Sequence, residues 1–311
     1  MAQPKRPRKG SLQYWPRKRA AKVLPSVNWK PVKGDGLLGF ITYKAGMASV
    51  LIKDNTEKSM TQGKNLIVPA TILEVPNMKI FSVRFYKNNQ VLKEIIVSND
   101  KELKKLVKLP KTLPSLDSTP KDFDDIRVIA YSLPKQISLK KTPDMIELAI
   151  SSHDKLSFVK SLINKEISLS DFKLPALVDI HGLTKGKGLV GPMRRFGISK
   201  RQHKSEKGVR RPGSLAPWHP HVVTFHAPMA GQLGMFSRVQ FNLKVLGSGN
   251  AKEKPIAPKS GFRHYGAISS NYIIVLGSVQ GPPKRQILIT PSFRPTKLQS
   301  KKKFEFLEVL H

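Results

Sequence analysis

The chain has 311 residues, with 55 Lys and Arg against 21 Asp and Glu, a formal net charge of +34, and 39% apolar residues. That is enough apolar material to bury a large core, which excludes disorder throughout, and a charge so far from zero points to a polyanionic partner. The absence of cysteine excludes disulfides, thiol nucleophiles and thiolate metal sites, no apolar run approaches a membrane span, and an N-terminus with cations but no following apolar segment predicts a cytoplasmic protein that is not secreted.

Residues 1–34 hold no acid, alternate Pro, Arg and Lys and lack an apolar period, which predicts a basic arm interrupted by Trp15 and Trp29. From Gly36 the pattern changes to short apolar runs: "LLGFITY" (37–43) and "MASVLIK" (47–53), parted by the turn signal "KAG", then "NLIVPATILEV" (65–75). These read as strands of a barrel or sandwich, assigning 35–76 and 173–311 to one β domain. Residues 77–172 are organised differently. Strands "MKIFSVRFY" (78–86) and "VLKEIIVS" (91–98) precede a short helix in "NDKELKKLVKL" (99–109), where Asn99 as N-cap and Glu102 three residues on form a capping-box pattern. Strand "IRVIAYSL" (126–133) comes next. A second helix is expected in 151–167, with Leu156, Val159, Leu162 and Ile163 at helical spacing after the Ser151 to Asp154 cap pattern. This block reads as an α+β subdomain inserted into a mainly β chain.

Past "ALVDIHGLT" (176–184), residues 185–220 are rich in Gly, Pro and cations and nearly devoid of apolar period, so they form a basic excursion that cannot fold alone. Strands return in "HVVTFHA" (221–227), "RVQFNLKVL" (238–246), "NYIIVLGSV" (271–279), "RQILITP" (285–291) and "FEFLEVL" (304–310). Between Ile180 and Phe304 there are 23 Lys and Arg but only two acids, Glu206 and Glu253; between Asn77 and Asp171 the balance is 17 against 12. With little apolar surface to offset ordering entropy, 1–34 and about 191–217 are expected to order only against a partner.

Three chemistries compete for the stretch "GVRRPGSLAPWHPHV" (208–222). His219, His221 and His226 suggest a metal, and an RNA-modifying or RNA-processing enzyme built on them is the alternative function, but zinc wants carboxylate or thiolate company that this segment lacks. No metal and no cofactor is therefore expected. "GLTKGKG" (182–188) fails as a P-loop, because only three residues separate Gly182 from Gly186 and Gly188 stands where Ser or Thr would hold magnesium. The acids lie mostly in the insertion, interleaved with lysines as on a solvated face, so an enzyme is not expected, nor a small-molecule substrate. RNA remains: cations without a core of their own neutralise phosphates, and a flat aromatic in a Pro/Gly loop offers a face to a base.

Six motifs spread along the chain carry a resemblance. "KRPRKGSLQYWPRKR" (5–19), "GFITYKAGM" (39–47), "GLTKGKGLVGPMRRFG" (182–197), "GSLAPWHPHV" (213–222), "GQLGMFSRVQFN" (231–242) and "GSVQGPPKR" (277–285) resemble, in order, the L-three family of universal large-subunit ribosomal proteins. The insertion at 77–172 favours its archaeal/eukaryotic form. The resemblance implies a six-stranded β-barrel of the translation-protein type, an N-terminal arm and a central extension that penetrate large-subunit rRNA of the 23S type, contacts with neighbouring ribosomal proteins, a part in subunit assembly, and a tip tryptophan, here Trp218, near the peptidyl transferase centre. Some eukaryotic relatives carry a modified histidine about twelve residues before that tryptophan; Glu206 stands here, so no such modification is expected. Expected RNA contacts are Arg6, Arg8, Lys9, Arg17, Lys18 and Arg19 in the arm, and Lys185, Lys187, Arg194, Arg195, Lys200, Arg201, Arg210, Arg211, Trp218, His219 and His221 in the extension. Gln232, Arg238, Lys284 and Arg285 complete the set in the later motifs.

Overall fold

The structure, a computed structural model, describes Gly10 and residues 13–114, 119–120 and 122–310. It divides into two bodies, Met1–Lys22 with Leu183–Ser237, and Val23–Gly182 with Arg238–His311. In chain order the elements begin β1 (Gly36–Leu37), β2 (Phe40–Asp54), β3 (Asn65–Val75), β4 (Met78–Lys87), β5 (Gln90–Ile96), a 3₁₀ turn at Lys101–Lys105, β6 (Asp125–Ser132), β7 (Met145–Ser151) and α1 (Lys155–Leu162). They continue with β8 (Leu177–Leu183), β9 (Leu189–Val190), α2 (Pro192–Phe196), β10 (Gly231–Gln232), β11 (Ser237–Asn250), β12 (Asn271–Leu276), β13 (Gln286–Pro291), α3 (Lys297–Lys301) and β14 (Phe304–Leu310). The fold is mainly β, and among the described residues no helix is long and apolar enough to cross a membrane.

The larger body holds two sheets. A seven-stranded sheet runs β13-β8-β11-β12-β3-β2-β14, and β13 pairs a second time, with β2, through Gln286↔Tyr43 to Ile289↔Phe40. A five-stranded sheet runs β1-β7-β6-β4-β5, so that Gly36 and Leu37 join the sheet built mainly by the 77–172 segment. Strand alternation, shifted by one residue in β4 by the bulge between Ile80 and Ser82, turns Ile80, Val83 and Phe85 inward together with Val128, Leu148 and Ile150, and these meet Phe40, Ile41, Leu73 and Ile289 from the seven-stranded sheet in one buried cluster. Leu24, Trp29 and Val32 are buried in the same cluster, so the second half of the segment read as a basic arm supplies core residues.

Several local expectations are corrected. The "KAG" signal is not a turn: β2 runs through it with an extra residue, its register against β3 slipping between Lys44 and Gly46. A bulge keeps the ladder going while bending the strand. Gly46 is required there because a Cβ would lie 2.8 Å from the Phe262 ring. The helix expected at 99–109 is only the five-residue 3₁₀ turn. Its cap position is Asp100 rather than Asn99, and it makes no side-chain cap bond because the Asp100 carboxylate accepts from the Tyr131 hydroxyl and from Lys79. "HVVTFHA" forms no strand but a run of turns and bends with residues 221–226 exposed. β-propensity without a ladder partner does not make a strand. β7, β9, α2, β10 and α3 correspond to no element expected from the sequence, and β9 and α2 fall in the segment expected to have no structure of its own. α1 is expected, and Asp154 caps it, its carboxylate accepting from the Leu156 and Ser157 amides at 3.0 and 3.3 Å.

Candidate nucleic-acid interface

In the smaller body, β9 and β10 pair through Gly231↔Val190 and Gln232↔Leu189. The ladder is extended by Lys187 N–H to Leu233 O and Leu233 N–H to Gly188 O, each 2.9 Å, and by Thr184 N–H to Phe236 O at 3.1 Å. The Thr184 and Lys187 amides of "GLTKGKG" therefore bond backbone carbonyls rather than cradling phosphate. This ladder closes the base of the excursion. α2 starts with proline in its first turn and stops at Gly197, whose φ of 65° is the left-handed conformation that favours glycine and lets its N–H reach Met193 O at 2.7 Å.

Arg194 and Arg195 are neighbours on α2 and so point about 100° apart. Arg194 is exposed, whereas Arg195 is half-buried beside buried Phe196. The Arg195 guanidinium donates to four carbonyls: Gln232 at 3.0 Å, Met229 at 3.0 Å, Ala230 at 3.4 Å and Arg17 at 3.4 Å. Burial pushes its pKa down from the usual arginine value, though a guanidinium stays charged. Arg17 returns the bond, both terminal nitrogens donating to Arg195 O at 3.4 and 3.3 Å. Its guanidinium lies 4.6 Å from the centre of the Phe196 ring and 5.7 Å from that of Phe236. Trp15 stacks on Phe196 at 6.4 Å and 19°, and Ala20 N–H bonds Met235 O at 2.9 Å. The Gln232 amide donates to Leu233 O and Gly234 O. Arg17, Arg195 and Gln232, expected as RNA contacts, thus form internal hydrogen bonds, and those between Arg17 and Arg195 join the arm to the extension.

The remaining expected residues are distributed otherwise. Lys18, Arg19, Lys185, Lys187, Lys200, Arg201, Arg210 and Arg211 are exposed, and no residue from Ile198 to His226 is buried. Arg201 shapes its own loop, its N–H reaching Val209 O at 3.0 Å and its guanidinium bonding Pro212 O. Trp218 is 79% exposed. His221 lies edge-on to it at 5.0 Å and also 5.0 Å from His219, so the three rings form one exposed aromatic group. In the larger body Arg238 and Arg285 are half-buried and Lys284 exposed. The loop carrying the last two is held by a residue missed in the sequence: buried Lys44 donates from Nζ to Val279 O and Gly281 O, and its backbone exchanges bonds with Lys284 and Arg285. Arg6, Arg8 and Lys9 lie outside the described residues.

The whole run of motifs falls within the residues that one family model matches. The family model described as "Ribosomal protein L3" matches residues 1–96 and 92–308. The chain belongs to the ribosomal protein L3 family. Among its similar members are archaeal proteins. The large ribosomal subunit protein uL3 of Methanocaldococcus jannaschii is 38% identical over 309 residues, covering 93% of this chain and 92% of that one. The protein of the same name from Archaeoglobus fulgidus is 38% identical over 309 residues, with 94% and 93% covered. That of Methanococcus vannielii is 37% identical over 308 residues, with 93% and 92% covered. Coverage of more than nine-tenths in both directions fits the archaeal/eukaryotic form of the L3 chain.

Proposed function

We propose that this protein is a structural constituent of the large ribosomal subunit, binding large-subunit rRNA and neighbouring ribosomal proteins in the cytoplasm. The observation that carries the reading is L3-family membership over nearly the whole chain, among relatives named as large-subunit proteins. The cations support it: between residues 183 and 237 ten Lys and Arg, nine of them exposed, face one carboxylate, Glu206, an imbalance that rRNA phosphates would neutralise. The double pairing of β13 with β8 and β2 supports reading the six strands β13, β8, β11, β12, β3 and β2 as the barrel of the family. On this reading the arm and extension enter rRNA, aid assembly, and present Trp218 toward the peptidyl transferase region. The RNA-processing alternative draws no support from the family, whose members here are ribosomal proteins.

Binding of the full chain to a large-subunit rRNA fragment tests the proposal. With about ten phosphate contacts, log Kd should rise with log salt at a slope of about 7–9. A slope below about 3, or equal affinity for unrelated RNA of the same length at all salt concentrations, would overturn it.

A further inference from the structure

The residues 221–227, expected as a strand, instead place two rings at the corner of a turn. Ala227 N–H bonds Thr224 O at 3.1 Å, which puts Phe225 and His226 at the two central positions, and Ala227 itself is buried and fixes the turn's end. Phe225 is 57% exposed and its ring stacks on the exposed His226 ring, centroids 4.0 Å apart at 30°. A phenylalanine left in water needs a reason, and this one is not loose. Trp15 braces it edge-on at 5.4 Å and 70°, and Trp15 in turn stacks on buried Phe196. The result is a run of rings, Phe196, Trp15, Phe225 and His226, anchored at one end and exposed at the other.

We propose that Phe225 and His226 form a platform on which one unpaired RNA base stacks, separate from the group around Trp218. The inference rests on the rRNA-binding reading and adds a ligand class and a place to it. Flat rings held rigidly lose little entropy when a base is laid against them, and stacking accepts any base because each has a π-face. The surroundings select nucleic acid over an apolar protein surface. The only carboxylate between 183 and 237 is Glu206 against ten Lys and Arg in the same stretch, whose field draws phosphates and brings bases with them.

Base-by-base chemical probing of rRNA in assembled large subunits decides it. Subunits are compared that carry the natural chain, Phe225→Ala, His226→Ala, His226→Phe or Trp218→Ala, each with the amount of incorporated protein measured. Phe225→Ala and His226→Ala should raise the reactivity of the same unpaired base or adjacent pair by about fivefold or more, at nucleotides different from those exposed by Trp218→Ala, and His226→Phe should leave that base protected. If fully incorporated Phe225→Ala protein changes no base, or if the change appears only as loss of contact with a neighbouring protein, the platform is refuted. Failure of the natural chain to enter subunits or protect any rRNA would instead refute the reading on which the inference rests.

Discussion

The two bodies solve the problem of holding cations in opposite ways. In the larger one many cations meet carboxylates and apolar side chains interleave: Lys155 meets Asp125 at 2.5 Å, Arg84 meets Glu94 at 2.8 Å, and the sheets around them bury a continuous core. In the smaller one carboxylates are nearly absent, so guanidinium groups are stabilised by carbonyl dipoles and ring faces. Arg17 and Arg195 exchange bonds, Arg195 reaches three further carbonyls, and Phe196 lies beside both. Carbonyls and rings hold an arginine in place without cancelling its charge. The smaller body can therefore be partly ordered while keeping a strong positive field, which ion pairs would have quenched.

Removing an apolar anchor from the larger body should give the greatest loss. Phe40 is fully buried and packs on Phe172 at 5.7 Å, so Phe40→Ala should destabilise that body by about 3–5 kcal/mol. Denaturant unfolding of the free protein measures this, and a loss under about 1 kcal/mol would mean that the shared core is not where its stability lies. The next effect is a dependence on pH. His181 is buried on β8 with its Nε2 3.1 Å from Thr290 Oγ1, and desolvation pushes its pKa down to about 4 although Asp179 acts to raise it. Between about pH 6.5 and 4 the unfolded chain takes up a proton that the folded chain refuses. The stability present above pH 6.5 is thus lost as pH falls through this window, by about 3 kcal/mol. His181→Gln should flatten that part of the profile; a variant with an unchanged slope would show that the ring is solvated.

What was legible in the sequence follows the same division. "NLIVPATILEV" is β3 to the residue, because a strand with a buried face advertises itself by composition and bounding turns. β7 is less legible although Ile146, Leu148 and Ile150 alternate inward, because only Ser152 to Asp154 separate it from α1 and the cap pattern of that helix overlaps its end. The bulge at "KAG" shows a glycine placed for a ring from a distant loop rather than for a turn. In the smaller body the contrast is sharper. The cations and Trp218 could be singled out from spacing and company, but no local pattern tells that Arg17 belongs with Arg195, 178 residues away, or that Trp15 is braced between Phe196 and Phe225. Those contacts are long-range and made by a handful of side chains, so they leave no period to read. They also qualify the expectation for 191–217, since α2 has a packed anchor of its own while the residues after it remain exposed.

A subtler change sharpens the comparison. Arg195→Lys keeps the charge and removes the fork, and one ammonium cannot reach four carbonyls spread over Arg17, Met229, Ala230 and Gln232. Loss of charge-assisted bonds of about 1.5–3 kcal/mol should open the extension locally, raising its cleavage by a protease in the free protein about tenfold or more. The unfolding midpoint of the larger body should not move. If both respond together, the two bodies are one cooperative unit; if neither does, the carbonyl cage is not holding the extension.

The smallest effect on stability belongs to Trp218→Ala. With most of its ring in water and only histidine edges against it, the tryptophan fills no cavity, and its removal should change folding by no more than about 0.5 kcal/mol. On the proposed reading Arg210 and Arg211 still supply phosphate contacts, so incorporation into subunits should persist. What disappears is a stacking surface of about 1–3 kcal/mol, and on the proposed reading it disappears beside the peptidyl transferase region, where loosened nucleotides alter tRNA accommodation and antibiotic sensitivity. Trp218→Phe should restore much of the effect because it keeps a flat ring, whereas Arg211→Ala should weaken binding of the whole protein without singling out that region. Subunits rebuilt with each variant, assayed for aminoacyl-tRNA accommodation and peptide-bond formation, separate the cases. Equal rates and drug responses for Trp218→Ala and the natural chain would make the exposed ring a bystander, and leave the smaller body as an anchor in rRNA rather than a probe of its catalytic region.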